Sequence, residues 1–63
     1  MNISNISEAV RLGTAYQYKL QALLYLEEAV KEVGDKDYKK HLEMEVRRLQ
    51  DELEDLEMQI RGL

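Results

Sequence analysis

The sequence predicts an all-α protein: an antiparallel hairpin of two long helices that dimerises into a four-helix bundle. Three features carry that expectation. Aliphatic residues repeat at heptad spacing from Leu42 to Leu63, a broader apolar arc runs from Ala9 to Val33, and a single Gly-Asp turn signal lies between them. There is no Pro, so nothing interrupts long helices.

The first helix is expected over residues 6–33. Asn5 is placed to cap it, and Glu8, three residues on, occupies the capping-box position. Gly34 follows, suited to a left-handed helix end. Asp35 and Asp37 can each cap the second helix and set negative charge at its positive end. The turn is expected at 34–36 and the second helix at 37–61, with Gly62 as its stop. Each helix is then roughly 26 to 28 residues, or about 40 Å at 1.5 Å rise per residue. Equal lengths and a short connection give an antiparallel pair, with residues 1–63 as one domain. Glu27 to Lys31, Glu43 to Arg47 and Glu57 to Arg61 are same-helix pairs in the favourable orientation.

In the second helix Leu42, Val46, Leu49, Leu53, Leu56, Ile60 and Leu63 alternate in steps of four and three. This is a narrow a/d seam with polar and acidic neighbours. Two such helices in parallel would bring Glu52 close to Glu57 of the other, which speaks against a simple parallel homodimer.

The first helix is apolar over half its circumference or more. Ala9, Tyr16, Leu23 and Val30 form one heptad row, and Leu12, Lys19, Leu26 and Val33 the next. Ala15, Ala22 and Ala29 make a row of small residues, while Leu20 and Leu24 widen the other flank. Such an arc is wider than one neighbouring helix buries, so a second copy is expected to pack on it. Folding the hairpin sets Ala9 near Ile60, Tyr16 near Leu53, Leu20 near Leu49 and Leu23 near Val46. Lys19 can lay its stem on the apolar surface with its ammonium at Asp51 or Glu52. The expected bundle core is therefore Ala9, Leu12, Tyr16, Leu20, Leu23, Leu26, Val30, Leu42, Val46, Leu49, Leu53, Leu56 and Ile60.

Size supports the oligomer. A chain of 63 residues buries a smaller share of its surface than an ordinary domain and usually needs a disulfide, a metal or a partner, and with no Cys neither a disulfide nor a thiolate metal site is open to it. Charged residues are 35% of the chain, too many for a membrane span. Met1-Asn2-Ile3-Ser4-Asn5 lacks the pattern of a signal peptide, so a cytoplasmic location is expected. The net charge of −4 speaks against general binding to a phosphate backbone.

Chemistry-bearing residues are sparse. His41 has Glu45 one turn later, but the Glu-x-x-His pattern of carboxylate-bridged di-iron bundles is absent because Tyr38 stands three residues before the histidine. A solvated histidine near the turn is the simpler reading, and no metal or other cofactor is expected. Ser4, Ser7 and Thr14 have no base partner and no glycine-rich phosphate loop exists, so enzymatic activity is not expected. The acidic run Asp51-Glu52-Leu53-Glu54-Asp55-Leu56-Glu57 reads as a solvated face beside a buried leucine seam.

Two surfaces remain. Lys36, Lys40 and Arg47 share an outer face near the turn. In length and layout, though in no shared motif, the chain resembles the Rop family of small plasmid copy-control RNA-binding proteins, which are dimeric helical hairpins. That resemblance implies a nucleic-acid-binding regulator. The other surface holds Tyr18 and Tyr25, seven residues apart and flanked by Arg11, Ala15, Ala22 and Ala29. Tyr and Arg are enriched in binding hot spots, so Arg11, Tyr18, Gln21 and Tyr25 are the expected partner-binding residues. The leading expectation is a homodimeric protein-protein interaction module acting as a regulator, inhibitor or assembly adaptor. The alternatives are the nucleic-acid regulator and a structural component of a larger assembly. Lys36, Lys39, Lys40, Arg47 and Arg48 lie toward the turn, and the acids concentrate later in the helix. An antiparallel pair of hairpins would therefore oppose the two signs, although Glu27, Glu28 and Glu32 dilute the contrast.

Overall fold

The computed structural model describes residues 3–63, and these form two antiparallel helices with no strand among them. Helix α1 spans Ile3–Glu32 and helix α2 spans Lys36–Arg61. The chain is an all-α helical hairpin measuring 50 × 14 × 11 Å.

The ends of the helices depart from the sequence expectation at three points. α1 is already helical at Ile3, so Asn5 lies within it and is not its cap. Nothing in Ile3-Ser4-Asn5 opposes the helix, and the carboxylate of Glu8 turns forward to Arg11 instead of back to a cap. At the other end α1 stops at Glu32, after which the Val33 amide still donates to the Ala29 carbonyl at 3.1 Å. No described glycine has a positive φ, so Gly34 does not make a left-handed end. The chain instead leaves α1 through the short connection 33–35. Asp35 then caps α2 from an extended conformation (φ −75°, ψ 121°), its Oδ1 accepting the Tyr38 amide at 3.0 Å. Taking the cap one turn before that amide starts α2 at Lys36 and leaves Asp37 in its first turn, where its charge meets the helix dipole. At the far end Gly62 is right-handed, and its amide reaches the carbonyls of Met58 and Gln59 at 3.1 and 3.2 Å.

The core is a single line of leucines. Leu12 and Leu23 of α1 and Leu42, Leu49, Leu53 and Leu56 of α2 are buried. Leu23, Leu49 and Leu53 form its centre, with Tyr16, Leu20, Leu26 and Val46 packed against them half-buried. Val30 is also half-buried, whereas Ala9 and Ile60 are exposed in the single chain. The buried line ends at Leu12 and Leu56, and the methyl of Ala9 is too short to extend it. Each fully buried leucine contributes about 1.5–3 kcal/mol relative to leaving it in water. So thin a core needs every one of them.

The charged pairs depart from expectation too. Arg61 pairs with Glu57 at 3.8 Å across one turn. Lys31, however, reaches Glu28 three residues back at 3.4 Å, not Glu27. Glu43 and Arg47 form no ion pair among the described residues; Arg48 instead binds Glu45 and Glu52, each at 2.7 Å.

Candidate interaction surfaces

Among the described residues, polar contacts of Lys19 and Tyr16 tie α1 to α2. The Lys19 ammonium lies 2.8 Å from Glu52 Oε2. Its stem lies on the apolar seam, which lets a lysine stand in a row otherwise apolar. Glu52 also accepts from Arg48, which in turn binds Glu45, so a chain of alternating charges closes one side of the hairpin. Lys19 above all, then Arg48, holds the Glu52 carboxyl below the usual carboxylate range. Arg48 does the same for Glu45. On the opposite side the Tyr16 hydroxyl donates to Glu57 Oε1 at 2.8 Å, which pushes the phenol's pKa up.

The Tyr16–Glu57 contact is a feature that sequence reasoning missed. The signal was present: Tyr16 is set opposite Leu53, and a carboxylate stands one turn beyond that leucine. The acidic run is likewise not uniformly solvated. Glu52 and Glu57 turn toward α1, Leu53 and Leu56 are buried, and Asp51, Glu54 and Asp55 face out.

Arg11, Tyr18 and Tyr25 lie seven residues apart along one row of α1, with Gln21 beside them. Tyr18 and Tyr25 are 74% and 75% exposed, the largest values among the exposed large hydrophobic side chains. Tyr18 and Gln21 share a shallow depression with Thr14 and Gln17. Arg11 is exposed and held by Glu8, its Nε 3.2 Å from Oε2, which keeps the guanidinium on this face and draws the Glu8 carboxyl below its usual range. The structure thus brings the four expected partner-binding residues onto one open face of α1.

Near the turn, Lys36, Lys39, Lys40 and Arg47 line a shallow depression together with Glu43 and Met44. His41 is exposed and stacks on Tyr38, with ring centroids 6.4 Å apart. Among the described residues no three His, Asp or Glu side chains gather as a metal site requires. No helix of the described chain is long and apolar enough to cross a membrane.

A third surface was only partly visible in the sequence. Ile6, Val10 and Leu24 of α1 are 50%, 64% and 55% exposed. An open groove between the helices is lined by Tyr16, Leu20, Leu23 and Leu53 among others. No protein-family model, curated protein or solved structure matches the chain.

Proposed function

We propose that the chain is a non-enzymatic protein-protein interaction module, a homodimer that regulates, inhibits or bridges another protein through Arg11, Tyr18, Gln21 and Tyr25. The observation that carries this reading is the exposure of two tyrosines on one row of a helix whose core contacts lie elsewhere. A tyrosine that is not needed for folding still offers a large apolar ring, a hydrogen-bonding tip and few rotatable bonds to immobilise on docking. Arg11, fixed by Glu8, adds a charged group already oriented along the same row.

The test is the double variant Tyr18→Ala, Tyr25→Ala. The expected outcome is a change in stability under about 1 kcal/mol per site, as for other surface positions. Capture of the partner from the native host, read by mass spectrometry, should be lost. If the variant drops by several kcal/mol or falls to monomers, the tyrosines are folding or dimer contacts and the reading fails.

A second reading rests on the basic depression at the turn, where Lys36, Lys39, Lys40 and Arg47 converge. On that reading the chain is a nucleic-acid-binding regulator. Its mark is an RNA mobility shift that falls steeply with salt and disappears when Lys36, Lys40 and Arg47 become Gln.

A further inference from the structure

Along α1, Ile6, Val10, Gly13, Gln17, Leu20 and Leu24 repeat in steps of four and three. At 100° per residue this stripe is centred about 100° round the helix from Leu23, and it meets the seam that holds α2 only at Leu20, which packs half-buried against the core. On its outer side it borders the tyrosine face, since Gln17 shares a shallow depression with Tyr18 and Gln21. Ile6, Val10 and Leu24 are half or more exposed in the single chain.

The stripe is symmetric about Ala15. Ile6 and Leu24 are each nine residues from it, Val10 and Leu20 five, and Gly13 and Gln17 two. We infer that α1 of a second copy packs antiparallel on this stripe, with Ile6 against Leu24, Val10 against Leu20 and Gly13 against Gln17 of the other copy. The inference rests on the homodimer proposed above and names its contact face, orientation and register.

Three observations identify the occupant as the chain itself. The first is Gly13. A glycine inside a helix is unfavourable by about 1 kcal/mol relative to Ala, and in the hairpin a Cβ there would meet nothing within 4 Å. Its space opens outward, at the centre of the stripe, where the register delivers the long side chain of Gln17 from the other copy. The second is charge. Between Ile3 and Leu26 the charged residues are Glu8, Arg11 and Lys19, and each is ion-paired within its own chain. The outer margin of the stripe carries Ser7, Thr14 and Gln21. A second α1 therefore docks over about 27 Å without stripping water from an unpaired charge.

The third is complementarity between the α2 helices. The Tyr16–Glu57 bond puts Glu57 level with the centre of the stripe. A two-fold axis there carries Glu54, one turn before Glu57, onto Arg61, one turn after it. Glu54, Glu57 and Arg61 line the groove beside the stripe, so both members of this new pair face the second copy. The basic turn ends then lie at opposite ends of the dimer, and the opposed charges are Glu54 and Arg61 in place of Lys36 to Arg48.

The experiment exploits a chain without Cys. Val10→Cys and Leu20→Cys, mixed in equal amounts and oxidised, should give the mixed disulfide at least tenfold over either like pair. Preferential linkage of Val10→Cys to itself overturns the inference. In parallel, Leu24→Glu should halve the mass in solution with helicity retained, while Tyr18→Ala, Tyr25→Ala leaves the mass unchanged. Gly13→Leu guards against a variant that merely unfolds: a Cβ at Gly13 meets nothing within 4 Å in the hairpin, so the variant should keep wild-type helicity, yet dimer dissociation should rise at least tenfold. A wild-type monomer overturns both this inference and the homodimer. A wild-type dimer indifferent to Leu24→Glu and Gly13→Leu overturns this inference alone.

Discussion

Two side-chain contacts between the helices respond to pH in opposite directions. The Glu52 carboxyl titrates below the ordinary glutamate value, chiefly because Lys19 donates to it. Its stabilisation is therefore present above that value and is lost as pH falls through the depressed pKa. Tyr16 titrates above the ordinary tyrosine value because its hydroxyl donates to Glu57. Its contribution is present below that value and is lost as pH rises through the raised pKa. Thermal melts should show Lys19→Met flattening the acid side of the stability profile and Tyr16→Phe flattening the alkaline side. A Lys19→Met variant with the full acid dependence of the wild type would mean that the Lys19–Glu52 contact does not persist in solution. Lys19 was legible in the sequence as a lysine on an apolar row with two acids in reach, Asp51 and Glu52. The Tyr16 bond was not, because pattern alone does not say where a phenol points.

At the level of the helices, periodicity carried most of the information. The a/d seam of α2 named Leu42, Leu49, Leu53 and Leu56, and these are the residues it buries. Leu53→Ala, at the centre of the core cluster, should cost about 2–5 kcal/mol in denaturant unfolding. A cost below 1 kcal/mol would place the core elsewhere. The ends were less legible because several residues compete for each role. Asp35 and Asp37 are equally good caps by type, and the backbone before Tyr38 decides for Asp35. Asp35→Ala should therefore lower stability by about 1 kcal/mol, and Asp37→Ala by less; the reverse order would contradict this assignment. Asn5 misled because a good capping residue is still tolerated inside a helix when its upstream neighbours are helix-compatible. Of the expected ion pairs Glu57–Arg61 formed, while Lys31 took Glu28 three residues back in place of Glu27, since both spacings bring side chains together on a helix surface.

For the whole molecule, the contrast between the helices matters most. α2 buries its leucines along one seam and carries charges over most of the rest, with Tyr38, Met44 and Met58 exposed among them. α1 has a seam for α2, an aliphatic stripe with Ile6, Val10 and Leu24 uncovered, and a tyrosine row. The width of its apolar arc was legible from composition and spacing. Its division into distinct faces was not, because that required knowing where α2 sits. A thin hairpin with Ile6, Val10 and Leu24 half or more exposed gains stability by association. Light scattering on the wild-type chain at micromolar concentration tests this most directly. The account predicts about twice the chain mass of 7.4 kDa; a cooperatively melting species of a single chain mass would contradict it.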